Sequence, residues 1–228
     1  MAILYIVATP IGNLEDMTKR ALRILSEVDL ILCEDTRVTK KLLEHYQIST
    51  PTLSYHQHSK IQKIDHIANL LKEGKSLALV SDAGTPGVSD PGNKLIEEIT
   101  ASGISLDIVP LPGSSAAMAA ASISGFNMDR FLFLGFPPVK KKRKKFFEEM
   151  MNSEYPVIFY ESPYRIIKTL KDLQLGAESR NLQPKIVVCR ELTKKFETIY
   201  RGNVADVIDR IEQGICKGEF VVVLEGKK

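Results

Sequence analysis

Short apolar runs rich in Val, Ile and Leu alternate with longer amphipathic stretches over the first half of the chain. The runs lie at residues 2–8, 28–33, 76–81 and 104–110. One stretch between them, 60–74, carries its Ile and Leu residues at the spacing of a single helical face and ends at Gly74. Strands that are apolar throughout, separated by helices, indicate an α/β sheet that is covered on both faces.

The same alternation restarts after residue 130 as a second set of strands. Apolar runs lie at 131–136, 155–160, 184–192, 196–202 and 219–226, with helical stretches near 140–152, 162–174 and 203–213. The segment 193–195 is too short for a crossover helix, so we expect the last strands to pair partly antiparallel. We place a domain boundary near Gly125, which predicts an N-terminal α/β domain at 1–124 and a C-terminal α/β domain at 125–228.

Composition adds little to this picture but excludes some classes of protein. The 228 residues are 44% hydrophobic and 26% charged, as in an ordinary globular chain, and no apolar run approaches the roughly 18 residues of a membrane span. We interpret the apolar N-terminus as a first strand because it lacks the basic region and cleavage site of a signal peptide. Three widely spaced cysteines, Cys33, Cys189 and Cys216, suggest reduced thiols in a cytosolic protein.

Charge divides the chain unevenly. Residues 1–125 hold 11 Lys and Arg against 14 Asp and Glu, whereas residues 126–228 hold 20 against 14. The surplus lies mainly in one basic run, which consists of Lys140, Lys141, Lys142, Arg143, Lys144 and Lys145. Such a run suits a polyanion such as nucleic acid, although a solvated linker has the same composition.

Three unusual loops follow predicted strands, at 8–16, 81–92 and 110–122. Small residues in them allow a ligand or another backbone to approach closely, and ligands of α/β sheets bind at the carboxyl ends of strands. The loops therefore predict a pocket rather than three cases of tight packing. No G-x-G-x-x-G or P-loop motif is present, and His56 with His58 is too sparse a pair to predict a metal site.

Seven motifs then occur in a fixed order. They are LYIVATPIGNLEDMTKRALRIL, LILCEDTRVTKKLL, LVSDAGTPGVSDPG, LPGSSAAMAAASISG, FLFLGFPP, FYESPYRI and CRELTKKFET. Together they resemble the tetrapyrrole methylase superfamily, and within it the branch that methylates ribosomal RNA, over about residues 3–225. The resemblance implies two α/β domains with S-adenosylmethionine in the cleft between them. It also implies 2′-O-methylation of a cytidine ribose in the decoding region of 16S rRNA, and a homodimer.

The same resemblance implies a set of cofactor contacts. Asp82, Thr85 and Gly87 match positions of the superfamily's G-D-P-x-x-x-G loop, while Gly12 is kept from its first loop and Asn13 replaces the acid there. The implied contacts are Pro10, Gly12, Val80, Ser81, Asp82, Thr85, Gly87, Ser115, Ala116, Tyr160, Glu161 and Leu192. The departures from the superfamily loops argue against a tetrapyrrole substrate more than against the cofactor.

Glu34, Asp35 and Arg37 follow the second predicted strand and are the candidate catalytic residues. A ribose hydroxyl is a poor nucleophile when neutral, so a base or a nearby cation would help. For each of these residues a structural ion pair is an equally good interpretation, and no general base is assigned. Three other functions stay open: a tetrapyrrole-type small-molecule methyltransferase, a methyltransferase for a protein side chain, and an RNA-binding module without turnover.

Overall fold

The computed structural model describes residues 2–56, 61–90 and 92–227. By the packing of its elements, the chain divides into two compact units, Met1–Ser115 and Ala116–Lys228. The boundary between the two units falls just before a helix, 116–124, which packs on strands of the second unit. The sequence-based boundary near Gly125 lies at the other end of that helix.

The first unit is built on a five-stranded sheet in which every pair is parallel. Its strands are β1 (Ala2–Val7), β2 (Leu30–Cys33), β3 (Thr52–Ser54), β4 (Ser76–Leu79) and β5 (Leu106–Leu111). They lie in the order β3-β2-β4-β1-β5. Since all five strands are parallel, their carboxyl ends meet at one edge of the sheet, and the loops that follow them are neighbours there.

Helices cover both faces of this sheet, as the apolar strands predicted. They are α1 (Lys19–Glu27), α2 (Thr36–His45), α3 (Ile61–Lys72) and α4 (Gly92–Ala101). Alternate residues of β4 and of the position after it enter different cores: Leu77 and Leu79 pack with α3 and α4, whereas Ala78 and Val80 pack with α1 and α2. The two cores pack the strands from both faces of the sheet, and the loops extend from the carboxyl ends of these packed strands.

The second unit carries a mixed sheet. Its strands are β6 (Leu132–Phe133), β7 (Val157–Glu161), β8 (Lys185–Arg190), β9 (Thr198–Asn203) and β10 (Phe220–Leu224), in the order β6-β7-β10-β8-β9. β10 runs antiparallel to β7 and β8, and β9 runs antiparallel to β8. The antiparallel pairing predicted from the short segment 193–195 is therefore confirmed.

Four helices pack on this second sheet. They are α5 (Ala116–Ser124), α6 (Arg143–Asn152), α7 (Ile166–Glu178) and α8 (Val204–Glu212). The last three share one core with inward residues such as Phe159 and Val222. The Ala-rich α5 is not part of that core. It packs against β7, β8 and β10, and its small side chains permit a close approach of helix and strands.

Two elements differ from the sequence-based expectation. Strand β3 was not predicted, because it has only three residues and none of the long apolar runs of its neighbours. The amphipathic stretch 14–27, which lies between the first two apolar runs and has the pattern of one helix, is divided: Asn13 caps a short 3₁₀ turn, and Thr18 then caps α1 by accepting a hydrogen bond from the N–H of Ala21. Within the described residues, no helix is long and apolar enough to cross a membrane.

Candidate functional site

The loops that follow β1 and β4 in the first unit are joined by backbone hydrogen bonds. Thr9 and Gly84 exchange two hydrogen bonds, of 2.9 and 3.1 Å, as an isolated antiparallel bridge. The buried hydroxyl of Thr9 donates to the carbonyl of Ser81, and the Ser81 hydroxyl contacts the carbonyl of Gly84 at 3.3 Å. The loops after β1 and β4 therefore form one preorganised surface at the carboxyl edge.

The loop after β5 joins the same surface. The hydroxyl of Thr85 donates to the carbonyl of Ser114 at 3.0 Å. Gly113 lies so close to Ala8 that an added Cβ would come within 2.8 Å of the Ala8 Cβ, and Gly84 has φ +85°. The small residues of these loops thus serve contacts between the loops themselves. Pro10 and Val80 are buried beneath this surface, whereas Gly12 is exposed.

A carboxylate organises the end of the Gly-rich loop. Oδ1 of Asp90 accepts the N–H groups of Gly87 at 2.6 Å and of Gly92 at 2.9 Å. Asn93 donates to the carbonyl of Gly87, and Ser89 takes a left-handed conformation with φ +63°. Gly87 has φ +86°, which L side chains rarely adopt. This turn explains why two Asp and several Gly occur together here, and sequence reasoning missed the role of Asp90.

Three carboxylates gather where β2 and β4 end. Oδ1 of Asp82 accepts the backbone N–H of Asp35 at 3.1 Å. Burial raises the pKa of Asp82, and the charge of Asp35 raises it further. Burial also raises the pKa of Glu34, helped by the charges of Asp82 and Asp90. This edge therefore carries crowded negative charge that a cation would relieve.

Asp35 and Arg37 form a pair at the start of α2. Asp35 is the N-cap residue: its side chain accepts the N–H of Arg37 at 2.8 Å and the Arg37 guanidinium at 2.6 Å. Hydrogen bonds from Arg37 lower the pKa of Asp35 to about 2. The Arg37 side chain is nonetheless 86% exposed. Asp35 thus has a structural role, while Arg37 is fixed at one end and open to solvent.

In the second unit, Tyr160 lies at the start of α5. Burial raises the pKa of the Tyr160 phenol, and a hydrogen bond from the backbone N–H of Ala117 opposes that effect. Ala116, the first residue of the helix, is therefore close to the Tyr160 ring. Tyr160 and Ala116, which the resemblance implied as separate cofactor contacts, thus lie near each other, whereas the preceding residue, Ser115, belongs to the first unit.

Glu161 is the most engaged of the predicted site residues. Its carboxylate is fully buried and pairs with Arg165 at 2.7 Å. It also accepts the hydroxyl of Thr169 at 2.6 Å and the N–H of Ser162 at 2.7 Å. With these partners, the side chain holds the turn after β7 rather than facing a ligand.

Leu192 lies in a strained turn after β8. Its neighbours Glu191 and Thr193 both take left-handed conformations, with φ +54° and +66°. Arg190, the last residue of β8, is buried and donates to the carbonyls of Lys217 and Phe196. These two hydrogen bonds fix the start of the turn. Oγ1 of Thr193 is buried without a hydrogen-bond partner among the described residues. Strain and an unsatisfied hydroxyl mark this turn, which carries the predicted contact Leu192, as a functional candidate, and sequence reasoning missed only Thr193.

Five of the six residues of the basic run are exposed to solvent, and the sixth, Arg143, is largely buried. Lys140, Lys141, Lys142, Lys144 and Lys145 are exposed. Arg143 differs, because only 13% of its side chain is exposed and it binds Asp172 at 2.7 Å and the Thr169 hydroxyl at 3.0 Å. Helix α6 begins at Arg143, three residues later than predicted, after Lys142 in a left-handed conformation. The lysines, rather than Arg143, are therefore available to a polyanion.

No group of three or more His, Cys, Asp or Glu is arranged to hold a metal ion in the described ranges, and His58 lies outside them. A groove of about 570 Å³ lies at the end of the second sheet opposite Tyr160, lined in part by Arg130, Tyr155 and Glu225. No residue predicted from the sequence lines that groove.

Comparison with known proteins gives a consistent answer. The model of the family described as tetrapyrrole (corrin/porphyrin) methylases matches residues 3–208. The chain is 45% identical to the protein named ribosomal RNA small subunit methyltransferase I of Thermotoga maritima, over the whole of both chains. It is 46% identical to the protein of that name from Bacillus subtilis, over 99% of this chain and 76% of the relative. The Synechocystis protein of that name is 45% identical, over 99% and 80%.

Solved structures resemble the fold at low sequence identity. A cobalamin biosynthetic enzyme, cobalt precorrin-4 methyltransferase, matches with a TM-score of 0.70 at 20% identity, over 98% of this chain and 94% of that one. Uroporphyrin-III-C-methyltransferase from Thermus thermophilus matches with a TM-score of 0.63 at 17% identity, over 97% and 93%. At these identities the likeness establishes a shared α/β fold.

Proposed function

The chain belongs to the tetrapyrrole (corrin/porphyrin) methylases, and from this premise we propose that it is an S-adenosylmethionine-dependent methyltransferase of small-subunit ribosomal RNA. The observation that carries the proposal is the identity of about 45% along nearly the whole chain with relatives named for that activity. The structural likeness to tetrapyrrole enzymes supports the fold only, and the substrate class is inferred from the relatives of about 45% identity.

The chemistry of the first unit fits this cofactor. S-adenosylmethionine carries a sulfonium and an ammonium, and the crowded carboxylates Asp82 and Glu34 have raised pKa values that a nearby cation would lower. Backbone groups of the joined loops supply hydrogen-bonding partners at the same edge. Within this unit the proposed cofactor contacts are Pro10, Gly12, Val80, Ser81, Asp82, Thr85, Gly87 and Ser115.

The second unit offers a matching feature beside Leu192. The buried Oγ1 of Thr193 lacks a partner among the described residues, and a polar group of a ligand would satisfy it. We propose Ala116, Tyr160 and Leu192 as cofactor contacts in this unit. Glu161 joins them by holding the turn that carries Tyr160, because its carboxylate is occupied by Arg165 and Thr169.

When bound, S-adenosylmethionine supplies an electrophilic methyl group, so the chain need only align an acceptor oxygen with it and help remove a proton. Glu34 is the proposed proton acceptor, because partial burial and the charges of Asp82, Asp90 and Asp35 raise its pKa, so that it binds a proton more tightly than a free carboxylate does. Arg37 is the proposed contact to the acceptor's phosphates, because its guanidinium is held by Asp35 while remaining exposed.

The finer assignment follows the resemblance of the sequence motifs. The proposed acceptor is the 2′-hydroxyl of a cytidine in the decoding region of 16S rRNA. The proposed working form is a homodimer in the cytoplasm, where ribosomal subunits are assembled. Lys140 to Lys142, Lys144 and Lys145 are the proposed phosphate contacts, and Arg143 supports them from within the fold.

The test is methyl transfer from labelled S-adenosylmethionine to three acceptors: small ribosomal subunits, free small-subunit rRNA and a tetrapyrrole precursor. We expect label in rRNA, and nuclease digestion with mass spectrometry should locate it on a cytidine ribose. Label in the tetrapyrrole alone would replace the proposal with the small-molecule alternative. Cofactor binding without transfer to any acceptor would favour a binding module.

A further inference from the structure

The most exposed large apolar side chain among the described residues is a tyrosine near the basic run. Tyr164 lies in the turn 162–165 between β7 and α7, and 95% of its surface is exposed. An aromatic ring buries a large area when it finds a partner, so a ring left almost wholly in water is available for one. Nothing in the proposed cofactor site uses this residue.

Two arginines place the start of the basic run beside this turn. Arg165, the residue after Tyr164, donates to the carbonyl of Pro137 at 3.0 Å. Arg143 donates to the carbonyl of Pro138 at 3.2 Å and is anchored to α7 through Asp172. The segment 136–142 is therefore held next to the Tyr164 turn within the same unit.

The resulting surface combines cations with aromatic rings. Lys140, Lys141 and Lys142 are exposed on this segment, and Phe136 at its start is 51% exposed. Phe136 packs edge-on against Tyr160, with ring centroids 5.4 Å apart. Exposed lysines with nearby aromatic faces are the means by which proteins bind unpaired nucleotides, since the cations contact phosphates and the rings stack on bases.

The turn that presents Tyr164 is rigid. The buried Glu161 carboxylate accepts the N–H of Ser162 at 2.7 Å and pairs with Arg165 at 2.7 Å, so both flanks of Tyr164 are fixed to the sheet. A ring on such a preorganised turn loses little conformational entropy when it binds. An exposed ring on a fixed turn is suited to stacking.

We propose that Tyr164 stacks on an unpaired base of the rRNA substrate while the lysines at 140–142 contact the adjacent phosphates. This inference rests on the proposed rRNA methyltransferase function and adds a recognition residue to it. Stacking is largely independent of ionic strength, whereas phosphate contacts are not. The two contributions can therefore be separated by experiment.

The experiment measures binding of the full-length protein to small ribosomal subunits across a salt titration. Tyr164→Ala should weaken binding about 5- to 100-fold, as expected for one lost base–aromatic stack, with the salt slope unchanged. Tyr164→Phe should keep the parental affinity because it keeps the ring. Leu175→Ala is the matched control, since Leu175 is 64% exposed on α7 and is not part of the surface.

A second measurement identifies what the ring contacts. A photo-crosslinking phenylalanine analogue at position 164 should crosslink to rRNA when the protein is bound to small subunits. Crosslinks to a ribosomal protein alone, or parental binding by Tyr164→Ala, would overturn the proposal. If the parent methylates rRNA in either case, the proposed function stands and only the stacking role is lost. If the parent neither binds subunits nor methylates rRNA, both proposals fall.

Discussion

At the scale of single residues, Asp82 combines a structural contact with an energetic cost. Its Oδ1 accepts the N–H of Asp35, and partial desolvation of this otherwise exposed side chain raises its pKa in the folded protein. A carboxyl with a raised folded-state pKa binds its proton more tightly when folded, so its ionisation lowers stability as the pH rises above the usual 3.8. A carboxylate kept at such a cost is suited to binding a cation.

We therefore predict that Asp82→Asn weakens S-adenosylmethionine binding about 10- to 100-fold without destabilising the protein. The amide oxygen keeps the hydrogen bond to Asp35, while the lost charge removes a charge-assisted contact of about 1.5–3 kcal/mol. Titration calorimetry gives the affinity and thermal unfolding gives the stability. Asp65→Asn, which changes an exposed carboxylate on α3, is the control.

The same carboxylate predicts a pH dependence of cofactor affinity. Protonation removes the negative charge that holds the cation, so affinity should fall as the pH falls through a pKa above 3.8. In Asp82→Asn this part of the dependence should disappear. A parental pH profile in the variant, together with unchanged affinity, would remove Asp82 from the cofactor site.

Arg37 is predicted to act on turnover rather than on the cofactor. Arg37→Ala should lower the methylation rate at least about tenfold, because one lost charge-assisted contact to the acceptor is worth roughly 1.5 kcal/mol or more. Cofactor affinity and stability should stay close to the parent, since exposed ion pairs contribute little. Single-turnover methylation of small subunits measures the rate.

The matched control for Arg37 is Arg23→Ala. Arg23 also forms an exposed ion pair, with Glu27, and its side chain is 57% exposed on α1. A drop in rate of equal size in both variants would mean that loss of any surface charge is sufficient. An unchanged rate in Arg37→Ala would leave the residue with its structural pairing to Asp35 alone.

At the scale of elements, the sequence predicted what depends on local pattern. Strands with long apolar runs and the β8–β9 hairpin were found because each is encoded within a dozen residues. Strand β3 was missed since three residues carry too little pattern. The bridge between Thr9 and Gly84 joins residues far apart in the chain, so no local signal announces it. The loops that bear the candidate site were singled out from the sequence, but the hydrogen bonds that shape them were not.

The role of Arg143 shows the same limit. In the sequence it is one of six cations in a row, whereas in the fold it joins α6 to α7 through Asp172 and Thr169. Arg143→Ala should lower the local stability of α6 by about 1.5–3 kcal/mol, and Lys144→Ala should leave it unchanged because that side chain is 93% exposed. Native-state hydrogen exchange of the α6 amides measures both.

A double-mutant cycle with Asp172→Ala completes this test. If Arg143 and Asp172 stabilise the fold as a pair, the two losses should be far from additive. Additive losses would contradict the pairing and return Arg143 to the group of solvated cations.

Over the whole molecule, the two packing units carry opposite net charge. The first unit carries the crowded carboxylates Glu34, Asp82 and Asp90 and has more acids than bases, whereas the second holds 20 Lys and Arg against 14 Asp and Glu. A cationic cofactor suits the acidic edge, and a polyanionic acceptor suits the basic unit. The two proposed ligands thus meet surfaces of opposite sign.

This division predicts that the exposed lysines govern the affinity and the salt dependence of RNA binding but neither cofactor binding nor the choice of nucleotide. Changing Lys141, Lys142 and Lys145 to Gln should weaken binding to small subunits and flatten the plot of log affinity against log salt. The slope of that plot should decrease in magnitude by at most about 0.7 for each lost contact to a single-strand phosphate.

Cofactor affinity and the methylated nucleotide should not change in this lysine variant, because phosphate contacts carry no base selection. Binding equal to the parent at every salt concentration would show that the run is a solvated face of the second unit.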